Sequence, residues 1–201
     1  MKLIVGTDST WSLRAWICAR LAGLDVDIEV IDLSSLSYKN EIAKYSQAGL
    51  VPILEVESYA IHDSLAIAEY LQEISNGKLY PASEVERAQA RSLCAELHSG
   101  FSHLRTKLPF TLNRISPYGY DDDEVENELR RIEQIFTQAQ MPFMFGDASA
   151  VDAFYSILAF RLKTYGIELN GKAGEYQQSL LDWSVLNQSI ELAAKWNSDK
   201  E

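Results

Sequence analysis

Residues 49–71, GLVPILEVESYAIHDSLAIAEYL, constrain the fold more than any other stretch, because a proline-marked bend, a short strand pair and a helix start follow one another without a gap. Proline lacks a donor N–H and pushes the residue before it into an extended conformation, so Val51-Pro52 ends whatever precedes it and leads into a strand. Ile53, Leu54 and Val56 form a short apolar run, Glu57-Ser58 reads as a tight turn, and Tyr59-Ala60-Ile61 returns, which predicts a hairpin. Asp63 and Ser64 are favoured N-cap types, and Leu65, Ile67, Ala68, Leu71 and Ile74 recur at helical spacing behind them. A helix is therefore expected at once.

The chain before this unit opens with a short apolar strand, Leu3-Ile4-Val5, then a loop over residues 6–10 and a helix over 13–21 ended by Gly23. A second strand is expected over 25–31, and residues 36–46 read as weakly helical or irregular. The resulting order, βαβαββα, is the one a thioredoxin-like α/β fold uses, and it defines an N-terminal domain over residues 1–76. Ser75-Asn76-Gly77-Lys78 breaks the pattern. Beyond it the periodicity is helical: 84–108, 121–140, 150–165 and a last pair over 174–196. A C-terminal all-α helical domain is expected over 84–201. The acidic run Asp121-Asp122-Asp123-Glu124 suits the positive end of a helix. Ser149 and Asp152 have the spacing of a capping box, which satisfies two helix-end donors reciprocally and assigns both to folding.

Composition bounds the partners. With 201 residues, 47% apolar and 23% charged, the chain can bury the core of one large or two small domains. A formal net charge of -11 argues against nucleic acid and against an anionic membrane surface, since both require a basic face. Cys18 and Cys94 lack metal-ligand or redox spacing and sit in apolar helical contexts, so free, buried thiols are expected. The start, MKLIVGTDSTWSLR, is interrupted too soon by Asp8 and Arg14 for a signal peptide, and no run approaches a membrane span. A cytoplasmic protein is expected.

Two stretches offer chemistry. A helix starting at Asp63-Ser64 beside an X-Pro bend presents backbone donors, a hydroxyl, a carboxylate and the main chain of Val51. Such a set suits a peptide with charged ends: the helix start and Ser64 for a carboxylate, Asp63 for an ammonium, Val51 for the peptide backbone. Plain helix capping by the same pair is the competing reading. The loop Ser9-Thr10-Trp11-Ser12-Leu13-Arg14 puts hydroxyls at a helix start directly after a core strand. A thiol brought there ionises more easily, because helix N–H groups and a hydroxyl donor favour the thiolate. Here too a simple cap by Ser12 or Thr10 accounts for the residues.

VPIL followed by Asp63-Ser64-x-Ala-Ile-x-Glu-Tyr-Leu resembles the glutathione-binding half of the soluble glutathione S-transferases. Ser-Thr-Trp-Ser-Leu-Arg-Ala-Trp, from Ser9 to Trp16, resembles the active loop of a bacterial serine-type group near the zeta class. The helical half extends the likeness through residues 95–105, through Phe143-Met144-Phe145-Gly146 and through residues 148–153. The resemblance implies a cis Pro52, a Val51 backbone paired with the cysteinyl part of glutathione, and an Asp63-Ser64 pair on its γ-glutamyl end. It also implies Ser9 as the catalytic serine, with Thr10, Trp11 and Leu50 in the glutathione site, glutathione as co-substrate, a small electrophile as second substrate, and a homodimer. Trp11 stands where the zeta pattern has cysteine, and Leu50 where relatives often carry lysine.

His98, Phe101 and Arg105 lie at i, i+3 and i+7 of the expected long helix and so share a face. That face either lines the electrophile pocket, with Arg105 drawing an anionic or carbonyl-bearing substrate, or packs against another helix or subunit. Arg161 and Tyr165, four apart on a later helix, either close the same pocket or tie the domains. His98 and His103 are five apart with no third ligand, and His62 lies in the other domain, so no metal site is expected. The function expected is conjugation of the glutathione thiolate to a small electrophile. The alternatives are a glutathione-dependent isomerase or peroxidase, and a non-catalytic interaction protein.

Overall fold

The structure is a computed structural model that describes residues 1–113, 115, 117, 119 and 122–198. It divides into two compact units: residues 1–80 together with the chain from Gln188 onward, and residues 81–187. The expected helical domain, 84–201, thus differs at its end, where the C-terminal residues group with the first unit.

In the first unit, β1 (Lys2–Gly6), α1 (Thr10–Ala22), β2 (Asp27–Ile31), α2 (Tyr38–Ala43), β3 (Ile53–Val56), β4 (Tyr59–Ile61) and α3 (Ser64–Ile74) follow in the expected order. The sheet runs β2-β1-β3-β4, with β1 parallel to β2 and antiparallel to β3, and β3 antiparallel to β4. This is the thioredoxin-like arrangement. α1 begins at Thr10, earlier than the apolar periodicity suggests, because the Ser9 side chain caps it. It ends at Gly23, whose φ of 72° is one that glycine adopts without penalty. Ile4, Ile31, Ile42 and Ile53 form a core cluster, joined by Leu33, Tyr38, Tyr45 and Val51. Ile42 and Tyr38 give α2 an apolar side in that cluster, which explains why a stretch with weak helical signal becomes a helix. α1 and α3 pack against each other.

The second unit contains α4 (Glu84–Ser99), α5 (Ser102–Lys107), α6 (Asp123–Phe136), α7 (Ala150–Thr164) and α8 (Gly171–Asp182), and the start of α9 (Ser184–Ser198). α7 is its centre, with Val151, Phe154, Tyr155, Leu158 and Leu162 all buried. Phe136 of α6 meets Tyr155 and Tyr176 edge-on, with centroids 5.9 and 4.9 Å apart. The Ser149–Asp152 capping box forms, and Asp152 also accepts from Tyr176 Oη at 2.7 Å and Met144 N at 2.9 Å. Asp122 caps α6 through Glu124 N and Val125 N, while Asp121 lies outside the described residues.

One expectation fails here. Residues 84–108 are two helices and not one, because α4 stops at Ser99 and Phe101 takes a left-handed conformation with φ 56°. A Cβ on Gly100 would sit 2.7 Å from Glu96 O, so glycine permits the close turn. The new helix is then capped from α6: Glu128 accepts from His103 N at 3.2 Å and Leu104 N at 2.7 Å. His98, Phe101 and Arg105 therefore do not share one helix face.

Candidate functional site

Strand direction brings the sequence-predicted residues to one end of the sheet. β1 and β4 run the same way, since each is antiparallel to β3, so α1 and α3 both begin beyond strand C-termini at that end. The register Ile4↔Ile53 carries Pro52 and Val51 to the same end, opposite Val5 and Gly6. Gly6 is required there: a Cβ would lie 2.8 Å from Val51 Cγ2 and 2.6 Å from Leu33 Cδ1. The Val51–Pro52 peptide is cis.

At this end a cavity of about 610 Å³ opens, lined by Ser9, Thr10, Trp11, Leu50 and Val51 together with Asp8, Leu33, Tyr38, Lys39, Ile42 and Gly49. Five of the predicted residues thus meet. Pro52 is buried behind them, and Asp63 and Ser64 stand at the start of α3 without lining this cavity. Lys39 joins them without any signal in motif or spacing. It belongs to the weakly patterned stretch that becomes α2, and it supplies a cation in the same wall as Leu50.

The loop between β1 and α1 is held from several sides. Gly6 N donates to Ser12 Oγ at 3.1 Å, tying β1 to α1 and using the Ser12 hydroxyl as a buried acceptor. Ser9 Oγ accepts from Ser12 N at 3.3 Å. Ser9, and not Ser12 or Thr10, is therefore the cap, yet a hydroxyl that accepts keeps its own proton to donate. Arg14, buried, lies over the Trp11 ring at 4.1 Å from the centroid, a cation–π contact that fixes the indole at the cavity edge. Asp8 is left-handed at φ 58° and accepts from Asn197 Nδ2 at 2.7 Å, so the C-terminal helix braces the loop within this unit. Thr7 Oγ1 donates to Asp32 and accepts from Leu33 N, which sets the opposite wall.

At α3, Asp63 Oδ1 accepts from Leu65 N at 2.8 Å and Ala66 N at 3.2 Å, so capping is realised. Ser64 is different: it is fully buried, and its hydroxyl has no hydrogen-bond partner among the described residues. A buried hydroxyl left unpaired is costly, which makes it a donor awaiting an acceptor.

Residues 8–74 match the family model for the glutathione S-transferase N-terminal domain. These residues carry a glutathione S-transferase N-terminal domain. A curated relative, the probable maleylacetoacetate isomerase of Caenorhabditis elegans, is 33% identical over 97 residues, covering 48% of this chain and 45% of the relative. The match thus spans about half the length of that relative. Among solved structures, a glutathione transferase homolog from Burkholderia with bound glutathione superposes with a TM-score of 0.72 at 22% identity, covering 96% of this chain and 97% of the other. A bacterial zeta-class maleyl pyruvate isomerase does so at 0.71 and 18% identity, covering 94% and 96%. At these identities the two structures show the fold alone, a thioredoxin-like domain followed by a helical one, over 96% and 94% of this chain.

In the second unit, Phe101 is buried, His98 and Arg105 are half-buried, and Arg105 donates to Gly100 O at 3.4 Å. Cys18 and Cys94 are both buried and neither is in a disulfide. Burial pushes the Cys18 thiol up to about 12, with Arg14 opposing. Among the described residues no group of three or more His, Cys, Asp or Glu is placed to hold a metal ion, and no helix is long and apolar enough to cross a membrane.

Proposed function

We propose that this chain binds glutathione at the first unit and uses its thiolate to attack a small electrophile. The observation that carries the reading is Ser9, capping α1 at the cavity wall with its hydroxyl proton still available. In this role Ser9 keeps its proton and donates it as a hydrogen bond to sulfur, while the thiol proton leaves to solvent. The start of α1 adds its dipole, so the anion is stabilised without deprotonating serine. Val51, in the cavity wall, pairs with the cysteinyl backbone. Ser64 meets the γ-glutamyl carboxylate and Asp63 the ammonium, and Lys39 faces the glycine carboxylate in place of the lysine missing at position 50. The buried, unpartnered Ser64 hydroxyl supports the fit of a ligand with a carboxylate at that end.

A second reaction is favoured by one observation, the isomerase name of the curated relative. The same thiolate, adding to a conjugated double bond and being expelled after rotation, isomerises a substrate and regenerates glutathione. Product analysis separates the two: conjugation consumes glutathione and isomerisation does not. The family likeness also supports a homodimer, with His98, Phe101 and Arg105 as substrate contacts within the helical unit. Sizing by light scattering tests the dimer, and a mass of one chain would refute it.

The deciding experiment is calorimetric titration with glutathione and an S-alkyl glutathione, followed by a screen of electrophiles with wild type and Ser9→Ala. Binding of both ligands is expected, with conjugation slowed about 100- to 1,000-fold in Ser9→Ala, the usual loss for one anion-stabilising donor. Absence of binding by either ligand would leave a non-catalytic member of the fold. An unchanged rate in Ser9→Ala would remove the serine's role.

A further inference from the structure

Ser9 reaches the cavity from the turn between Gly6 and α1, in which Ser9 N donates to Gly6 O at 3.2 Å and Thr7 N to Ile31 O at 3.0 Å. Asp8, inside that turn, has φ 58°, a left-handed value that favours glycine and that Asp and Asn tolerate better than other side chains. Rotation of Asp8 back to the ordinary region would re-aim the peptide that carries Ser9. One hold on Asp8 comes from 189 residues further along the chain. Asn197, in the last turn of α9, donates through Nδ2 to Asp8 Oδ1 at 2.7 Å and to Ala193 O at 3.2 Å, so both amide hydrogens are used. The reverse orientation of the amide would set its oxygen against a carboxylate, acceptor against acceptor. Its Oδ1 is buried without a hydrogen-bond partner among the described residues, so the amide is placed for what it donates to and not for its own acceptor. Trp196 and Ala193, both buried, anchor this end of α9 in the same unit as Asp8.

We propose that Asn197 is a positioning residue for the thiol site: by fixing Asp8 in its left-handed turn, it sets the place of the Ser9 hydroxyl and keeps the Asp8 carboxylate tied to α9. Both effects favour an anion at the start of α1. The hydroxyl and the helix donors converge on one point only while the turn keeps its form. Asp8 and Lys39 are the charged residues of the cavity lining, and a carboxylate released into that cavity would oppose a thiolate there. Without Asn197 the loop keeps its residues and loses their aim, so the loss falls on turnover more than on binding. The part played in turnover rests on the thiolate chemistry proposed above; the hold on Asp8 does not.

The test places a reporter thiol in the full chain by Ser9→Cys and follows its alkylation by iodoacetamide against pH, without glutathione; Cys18 and Cys94 are buried. A thiol at this helix start is expected to ionise below the ordinary cysteine value of about 8.5. Adding Asn197→Ala should raise the midpoint and slow alkylation near neutral pH roughly three- to tenfold, as expected when one hydrogen bond of typical net worth is lost. The exchanged pair, Asp8→Asn with Asn197→Asp, rebuilds the bond with donor and acceptor reversed. It should restore the rate or exceed it, since the charge leaves the cavity and Asn tolerates the left-handed turn. An unchanged profile in Asn197→Ala overturns the positioning role, and a fall in its urea midpoint alone would mark a structural brace. Failure of the exchanged pair to restore the rate assigns the effect to something other than this bond and overturns it too. With Ser9 in place, Asn197→Ala should lower kcat for glutathione conjugation by a similar factor and leave KM for glutathione nearly unchanged; a change confined to KM overturns the role in turnover. A wild type that binds no glutathione would end the transferase reading and leave the reporter result standing.

Discussion

Two buried side chains, Ser64 and Asp152, have opposite relations to their surroundings, and substitution separates them. The Ser64 hydroxyl is buried without a partner among the described residues, so Ser64→Ala removes no such bond from the free protein. Its denaturation midpoint is expected to stay or rise slightly, while glutathione affinity falls roughly tenfold, the worth of one hydrogen bond to a charged group. A drop in stability without a drop in affinity would make Ser64 structural. Asp152, by contrast, accepts from Met144 N, Ser149 N, Ser149 Oγ and Tyr176 Oη. Asp152→Ala strands those donors together and should cost about 3–5 kcal/mol in urea denaturation. Its own ionisation is also legible in stability. Burial raises its carboxyl above the ordinary 3.8, although the Tyr176, Met144 and Ser149 hydrogen bonds pull it down. The folded state then holds its proton more tightly than the unfolded chain does. The contribution is fully present below the unfolded value and declines as pH rises through the folded one. The stability difference between wild type and Asp152→Asn should therefore shrink from about pH 4 upward; a difference that grew with pH would contradict the shift.

At the scale of elements, α8 shows that two glycines in one helix do different work. Gly171 has φ 55°, and a Cβ there would meet nothing within 4 Å, whereas a Cβ on Gly174 would lie 2.2 Å from Leu169 O. Gly171→Ala costs only the left-handed conformation, about 1–2 kcal/mol. Gly174→Ala forces backbone apart and should cost more than about 2 kcal/mol, as overpacking does. Urea midpoints that reversed this order would mean that the Leu169 carbonyl can move. The break between α4 and α5 belongs to the same scale. Helical periodicity runs through residues 84–108, and only the turn at Gly100-Phe101, with Glu128 arriving from α6 to cap the second piece, divides it. Neither the carboxylate's approach nor the left-handed Phe101 has a local signal. α2 is the converse case, a weak pattern made helical by Ile42 entering the core cluster.

For the whole molecule, the two cysteines report on folding. Cys18 and Cys94 lie one in each unit, both buried, and burial holds the Cys18 thiol at about 12. A disulfide-exchange reagent near neutral pH should find no fast thiol in the folded chain and both in denaturant, since reactivity follows thiolate fraction and access. Following the two sites separately by mass spectrometry shows whether the units open together. Fast labelling of Cys18 in the native protein would contradict its burial.

The order βαβαββα, the Val51-Pro52 bend, the helix starts near Asp63 and Ser149, and the family likeness were all determined by sequence alone. Each depends on local rules: proline's missing donor, helix-end donors that need acceptors, and apolar spacing that matches one period. The tertiary structure decided what depends on approach between distant segments. Lys39 joined the cavity of Ser9 and Val51 because Ile42 anchors α2 in the cluster with β1 and β2, and the Ser64 hydroxyl became an orphan because packing buried it without a partner. Charge, burial and partner are properties of a place in space, and a one-dimensional pattern carries only those that neighbours along the chain can impose.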